Sequence, residues 1–122
     1  MNTYFNYRDS DIQEKYKIHL KLCQQFFSSP MKYISKMMFD PFQLSYTICK
    51  NNFPYRVPCK NIYHYVLWIN PEYIKYYTSS RIKSLIYTHF DEKKVIKCFQ
   101  NERSDQTIPE IPHYHIFVKN DF

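Results

Sequence analysis

Apolar positions along the chain follow two rhythms, and the change from one to the other outlines the fold. Over residues 9–27, Ile12, Tyr16, Leu20, Cys23 and Phe27 recur at helical spacing. That spacing lays one apolar stripe along a helix. Asp9 or Ser10 stands where a cap is wanted, and Ser28-Ser29-Pro30 breaks the pattern. His19 lies beside the stripe and reads as a surface or boundary residue. Pro30 favours a fresh start, so residues 31–39 read as a second, short helix with Met37-Met38-Phe39 as core filling. Asp40-Pro41 ends that segment.

The rhythm then shortens. In residues 42–50, Leu44, Tyr46 and Ile48 alternate with Ser45, Thr47 and Cys49, the pattern of a strand with two unlike faces. Two prolines make residues 51–58 irregular. Residues 63–69 form an apolar run of strand length, expected to be central and covered on both faces. Asn70-Pro71-Glu72 then starts a helix: Asn caps, Pro fills the first position, and Glu follows in the first turn. The stripe Ile74, Tyr77, Ile82, Leu85, Ile86 and His89 carries it through residues 73–90, with an interruption at Thr78-Ser79-Ser80. Residues 94–100 read as a strand, 101–112 as a polar loop with two prolines, and 113–119 as the last strand.

The order helix, helix, strand, strand, helix, strand, strand indicates the α+β class. The expected architecture is an antiparallel sheet with N-terminal helices and one helix inserted between strands. At 122 residues the chain suits one domain, with residues 1–39 as a helical N-terminal segment and 40–122 as the α+β core.

Composition narrows the chemistry. Hydrophobic residues make up 44% and aromatics 20%, so a core is available and must be built largely from rings. Gly is absent, which excludes GxGxxG and Walker-type phosphate loops and leaves turns to Asn, Asp, Ser and Pro. Any phosphate must be held by side chains or a helix N-terminus. The richness in Ile, Asn, Lys and Tyr is that of an AT-rich coding sequence. Net charge is +6, which permits contact with nucleic acid or nucleotides, although no dense basic run exists. Cys23, Cys49, Cys59 and Cys98 lack C-x-x-C spacing and read as reduced, mostly buried thiols. A Cys49/Cys59/His64 metal site can be drawn but matches no standard zinc module, so no metal and no cofactor is expected. No apolar stretch reaches the ~18 residues of a membrane span, and no targeting segment is seen. An intracellular protein, cytoplasmic or nuclear and without a membrane partner, is the expectation.

The candidate chemistry sits in the C-terminal half. His113 and His115 alternate with apolar residues on one strand, so their side chains share a face at roughly 7 Å spacing and can touch one phosphate. A neutral imidazole is a competent nucleophile toward phosphorus. The plainer alternative is a structural pair bonded to loop carbonyls. His64 reads as a buried, satisfied histidine or a ligand-binding one. Trp68 reads as core or as a platform for a base. Arg56 and Lys60, by proximity in sequence, are the cations expected nearest a phosphate, and Lys119 follows the last strand.

Five short motifs in order carry a resemblance: Asn51-Asn52-Phe53-Pro54-Tyr55, His64 with Trp68, Phe99-x-Asn101, Thr107-Ile108-Pro109, and His113-x-His115. Over about residues 40–118 they resemble the fungal N-acetylglucosamine-induced protein family, with Glu102 replacing a proline after Asn101. The layout is also similar, more distantly, to the histidine-triad superfamily, including its galactose-1-phosphate uridylyltransferase branch. That resemblance implies a histidine-triad-like fold with His115 as the attacking residue, His113 in support and Asn101 on the phosphate. Phe117 stands at the third triad position, where His or Gln is usual, and Ser104 to Pro112 replace the usual glycine-rich loop. The resemblance therefore implies nucleotide or phosphate binding, with weak hydrolase or transferase activity left open. The alternatives are a non-catalytic RNA- or cap-binding module, and a protein-interaction factor that has lost the chemistry.

Overall fold

The computed structural model describes residues 4–40, 43–101 and 108–120. Four antiparallel strands form one sheet, in the order β1 (Tyr46–Lys50), β2 (Ile62–Ile69), β4 (His113–Lys119) and β3 (Val95–Phe99). The class is α+β. The apolar run expected to be central, β2, is one of the two central strands, and the last strand, β4, is the other.

Register decides what each face carries. Val66 pairs with His115 and Trp68 with His113, while Leu67 pairs with Tyr114 and Tyr65 with Ile116. Side chains alternate across a strand, so Leu67, Ile69, Ile116 and Val118 share one face. There they meet Ile82 and Ile86 of helix α3 (Ser79–His89) in an apolar core. Thr78 caps α3 by accepting from Arg81 N, which explains the break in the helical stripe. The segment before it, Pro71–Tyr76, is a 3-10 helix capped by Asn70.

The opposite face carries His64, His113, His115, Trp68 and Cys49, and lies beneath the N-terminal segment. Helix α1 (Ser10–Phe27) starts at Asp9, whose carbonyl accepts from Gln13 N. Helix α2 (Pro30–Ile34) is capped by Ser29 and runs into a wider π turn, Ser35–Phe39. Ile34 and Phe39 pack with Ile108 and Ile111 and against Trp68. Thr47 of β1 donates to Met38 O, tying the turn to the sheet edge.

Several expectations are corrected. The second helix is α-helical for five residues only, because its last turn widens. β1 begins at Tyr46, after a turn at Gln43 with positive φ. The described end of the expected polar loop is not polar in role, since Ile108 and Ile111 enter the core. Left-handed backbone falls on Phe5, Ser28 and Gln43, so turn chemistry is not confined to Asn, Asp, Ser and Pro. Each such position costs about 1–2 kcal/mol, and Phe5 is held there by its ring against Phe117, 4.8 Å away. The thiols are free, but only Cys23 is buried. Cys59 sits in a turn and Cys98 on the outer strand β3, and both are exposed. No described helix is long and apolar enough to cross a membrane. Glu102 and Thr107 lie outside the described residues.

Candidate functional site

Where the N-terminal helices lie over the sheet, they leave a cavity of about 120 Å³. Its floor is sheet: Val66 and Trp68 of β2, His113 and His115 of β4, with Asn101 after β3. Its walls come from Arg8, from Tyr16 and His19 of α1, from Tyr33 and Ile34 of α2, and from Asn51 and Phe53.

Three imidazoles converge on this face. His64 and His115 rings are 4.9 Å apart, and His115 and His113 rings are 5.5 Å apart. All three are nearly inaccessible. His64 lies opposite Phe117 in the register and stacks on it at 4.3 Å. An imidazole from the neighbouring strand thus lies against Phe117.

The hydrogen bonds fix the protons. The backbone N–H of Tyr55 donates to His64 Nδ1 at 3.1 Å. An N–H can only donate, so the His64 proton is on Nε2. His64 Nε2 is 2.7 Å from His115 Nδ1 and donates to it. The His115 proton is therefore on Nε2, 3.1 Å from the Asn101 amide. Asn101 Nδ2 also lies 2.9 Å from Tyr55 Oη. Both contacts close when the amide is turned by half so that its oxygen accepts from His115 Nε2 and from the Tyr55 hydroxyl. Burial holds the His64 and His115 pKa values far below the usual 6.5, and their mutual proximity to other imidazoles and to Arg8 adds to it. Both rings are neutral at pH 7.

His113 is bonded differently. Its Nδ1 donates to Ile111 O at 2.8 Å, and its ring lies 4.6 Å from Trp68. Burial lowers its pKa, partly opposed by the Ile111 carbonyl. Trp68 is half-buried.

Arg8 reaches the cavity because the N-terminal segment runs beside residues 53–56. Phe5 N donates to Arg56 O and Arg56 N to Tyr7 O, each at 2.8 Å. Arg8 Nε then donates to Phe53 O at 2.7 Å, and the guanidinium lies 3.9 Å from the Tyr16 ring centre and 4.9 Å from that of Tyr55. Burial lowers its pKa while both tyrosines raise it, and the group stays charged. The cavity is lined by Arg8, Lys50 and His19 but by no Asp or Glu among the described residues. The Lys50 ammonium rests over the Tyr63 ring at 4.3 Å, and burial lowers the His19 pKa. Neither Arg8 nor Lys50 has a carboxylate partner among the described residues, and of the two Arg8 is the half-buried one.

Of the residues expected at a site, His113, His115, Asn101 and Trp68 line the cavity, and His64 lies just behind it. Arg56 and Lys60 do not. Arg56 is exposed, 3.6 Å from Asp9 and 3.3 Å from Tyr7 Oη. Lys60 is exposed in the turn before β2. Lys119 ends β4, at the opposite end of the strand from His113. Sequence spacing missed Arg8 and His19, because both come from the N-terminal segment and only folding brings them to the sheet. No group of three metal-binding side chains exists among the described residues.

A family model for "Protein of unknown function (DUF3605)" matches residues 1–119. The chain belongs to this family. The match takes in the N-terminal helices, so the parts that enclose the cavity are covered along with the sheet. Among solved structures, this family member is similar to one titled "Crystal Structure of HTC1". The TM-score is 0.61 at 16% identity, over 95% of this chain and 77% of that one, a likeness of fold alone. No curated protein matches the chain in sequence.

Proposed function

We propose that the protein is a binding module for a small phosphate-bearing ligand of the nucleotide class, held in the cavity between the N-terminal helices and the histidine face. The observation that carries this reading is Arg8. A half-buried guanidinium without a carboxylate partner among the described residues, in a wall that holds no described acid, is an electrostatic vacancy for an anion. Aromatic rings of Trp68, Tyr16 and Phe53 offer apolar surface for the remainder of the ligand. The fungal N-acetylglucosamine-induced and histidine-triad resemblances imply a phosphate-bearing ligand in the cavity that Asn101, His113 and His115 line. A transfer step at His115 is not included, because its Nε2 carries the proton and is engaged with Asn101. An interaction-factor reading would rest on Ile18, Leu22 and Phe26, exposed along α1, but nothing shows what covers them.

The test is a thermal-shift and calorimetric screen of nucleotides, dinucleoside polyphosphates, nucleotide sugars and cap analogues, with wild type and Arg8→Gln side by side. Arg8→Gln is expected to weaken any hit by about 10- to 100-fold, the range for a charge-assisted contact. Equal affinity in the two proteins would sink the reading, as would no hit in wild type.

A further inference from the structure

His113 has one ring nitrogen committed and the other unused. Nδ1 carries the proton, since Ile111 O can only accept it. The ring is neutral, so Nε2 holds a lone pair, and no described protein group pairs with it although the residue is only 6% exposed. Among the described residues no fully sealed side-chain nitrogen lacks a partner, so Nε2 opens to the cavity that the ring lines. The Trp68 ring alongside fixes the plane of the imidazole. His64 and His115 differ: each has both nitrogens bonded within the protein.

A bare lone pair repels the oxygens of a phosphate and accepts from a hydroxyl or an N–H. Arg8 does the reverse. The cavity therefore presents two complementary demands, one for negative charge and one for a donor. We propose that His113 Nε2 is the atom that reads the ligand, and that the ligand is an anion also bearing a hydroxyl or N–H donor, as a nucleoside monophosphate or sugar phosphate does. This rests on the anion-binding reading above and adds the second half of the recognition. It also makes His113, and not His115, the imidazole in contact with ligand.

Two measurements test it. In the first, AMP and sulfate are titrated calorimetrically into wild type, His113→Phe and His113→Gln; sulfate has the charge and no donor. His113→Phe is expected to weaken AMP about tenfold and leave sulfate unchanged, with His113→Gln recovering part of the loss. In the second, wild type is treated with diethyl pyrocarbonate, which acylates an unprotonated imidazole nitrogen, and labelled sites are read by mass spectrometry. His113 is expected to label before His64 and His115, and AMP to slow it. Labelling of His64 or His115 first overturns the assignment of the free nitrogen. Equal loss of AMP and sulfate in His113→Phe makes the residue structural and overturns the proposal. AMP affinity unchanged in His113→Phe overturns the donor requirement alone, with anion binding intact. Failure of both anions to bind wild type overturns the anion reading and this ligand class together.

Discussion

The two faces of the sheet are made by the same two strands and do opposite work. Toward α3, Leu67, Ile69 and Ile116 are wholly buried among Ile82, Ile86 and Tyr77. Toward the N-terminal helices, His64, His113 and His115 are nearly as buried, among Trp68, Tyr55 and Asn101. On the α3 face stability comes from area removed from water, which needs no partner geometry. On the histidine face it depends on every ring nitrogen being paired, because an unmet buried polar group costs about 1–3 kcal/mol. Among the described imidazoles of that face, His113 Nε2 is the nitrogen left open, and it is informative because the others are paired.

The comparison can be broken most forcefully from the α3 side. Leu67→Ala should destabilise the protein by about 3 kcal/mol, as expected for a fully buried leucine. At a temperature where the variant remains folded, its AMP affinity should equal that of wild type. Urea unfolding and calorimetry read both quantities, and a change in affinity would mean that the two faces are coupled.

Acid should sharpen the contrast from the other side. His64, His113 and His115 titrate below 6.5 in the folded protein, whereas the unfolded chain takes up protons near 6.5. The unfolded state thus binds more protons below that value. Stability should be full above pH 6.5 and fall as pH drops toward about 3, where His115 itself protonates in the folded state. The slope should approach about 1.4 kcal/mol per pH unit for each histidine kept neutral. Urea midpoints from pH 7.5 to 4.5 give this slope directly. Leu67→Ala should lower the whole curve without changing its slope, and a flat wild-type profile would contradict buried neutral imidazoles.

The smallest effect is expected where sequence proximity put the cations. Arg56→Ala and Lys60→Ala should leave the urea midpoint and the anion affinity essentially unchanged. An affinity loss in either would move the ligand away from Arg8.

Much of the frame could be read from residue order. The bounds of β4 follow directly from its alternation, and β2 differs from the apolar run by one residue at its start. The Asn70-Pro71 start and the break at Thr78 are local chemistry, and both occur where the sequence puts them. β1 is shorter than its alternation, because the pairing with β2 starts only at Tyr46. The buried end of the proline-bearing loop was hidden because Ile108 and Ile111 follow no period.

By itself the sequence determined which residues share a strand face, since side-chain direction alternates whatever surrounds the strand. That was enough to place His113 beside His115 and His64 on the face with Trp68. Which faces meet is a long-range matter. Only the tertiary structure set β2 beside β4, so that His64 meets His115, and brought Arg8 from the N-terminal segment to the cavity. It also decided the protons, because a tautomer is fixed by the partner of each nitrogen. Those partners, Tyr55 N–H and Ile111 O, become neighbours of specific ring atoms only when the chain is folded.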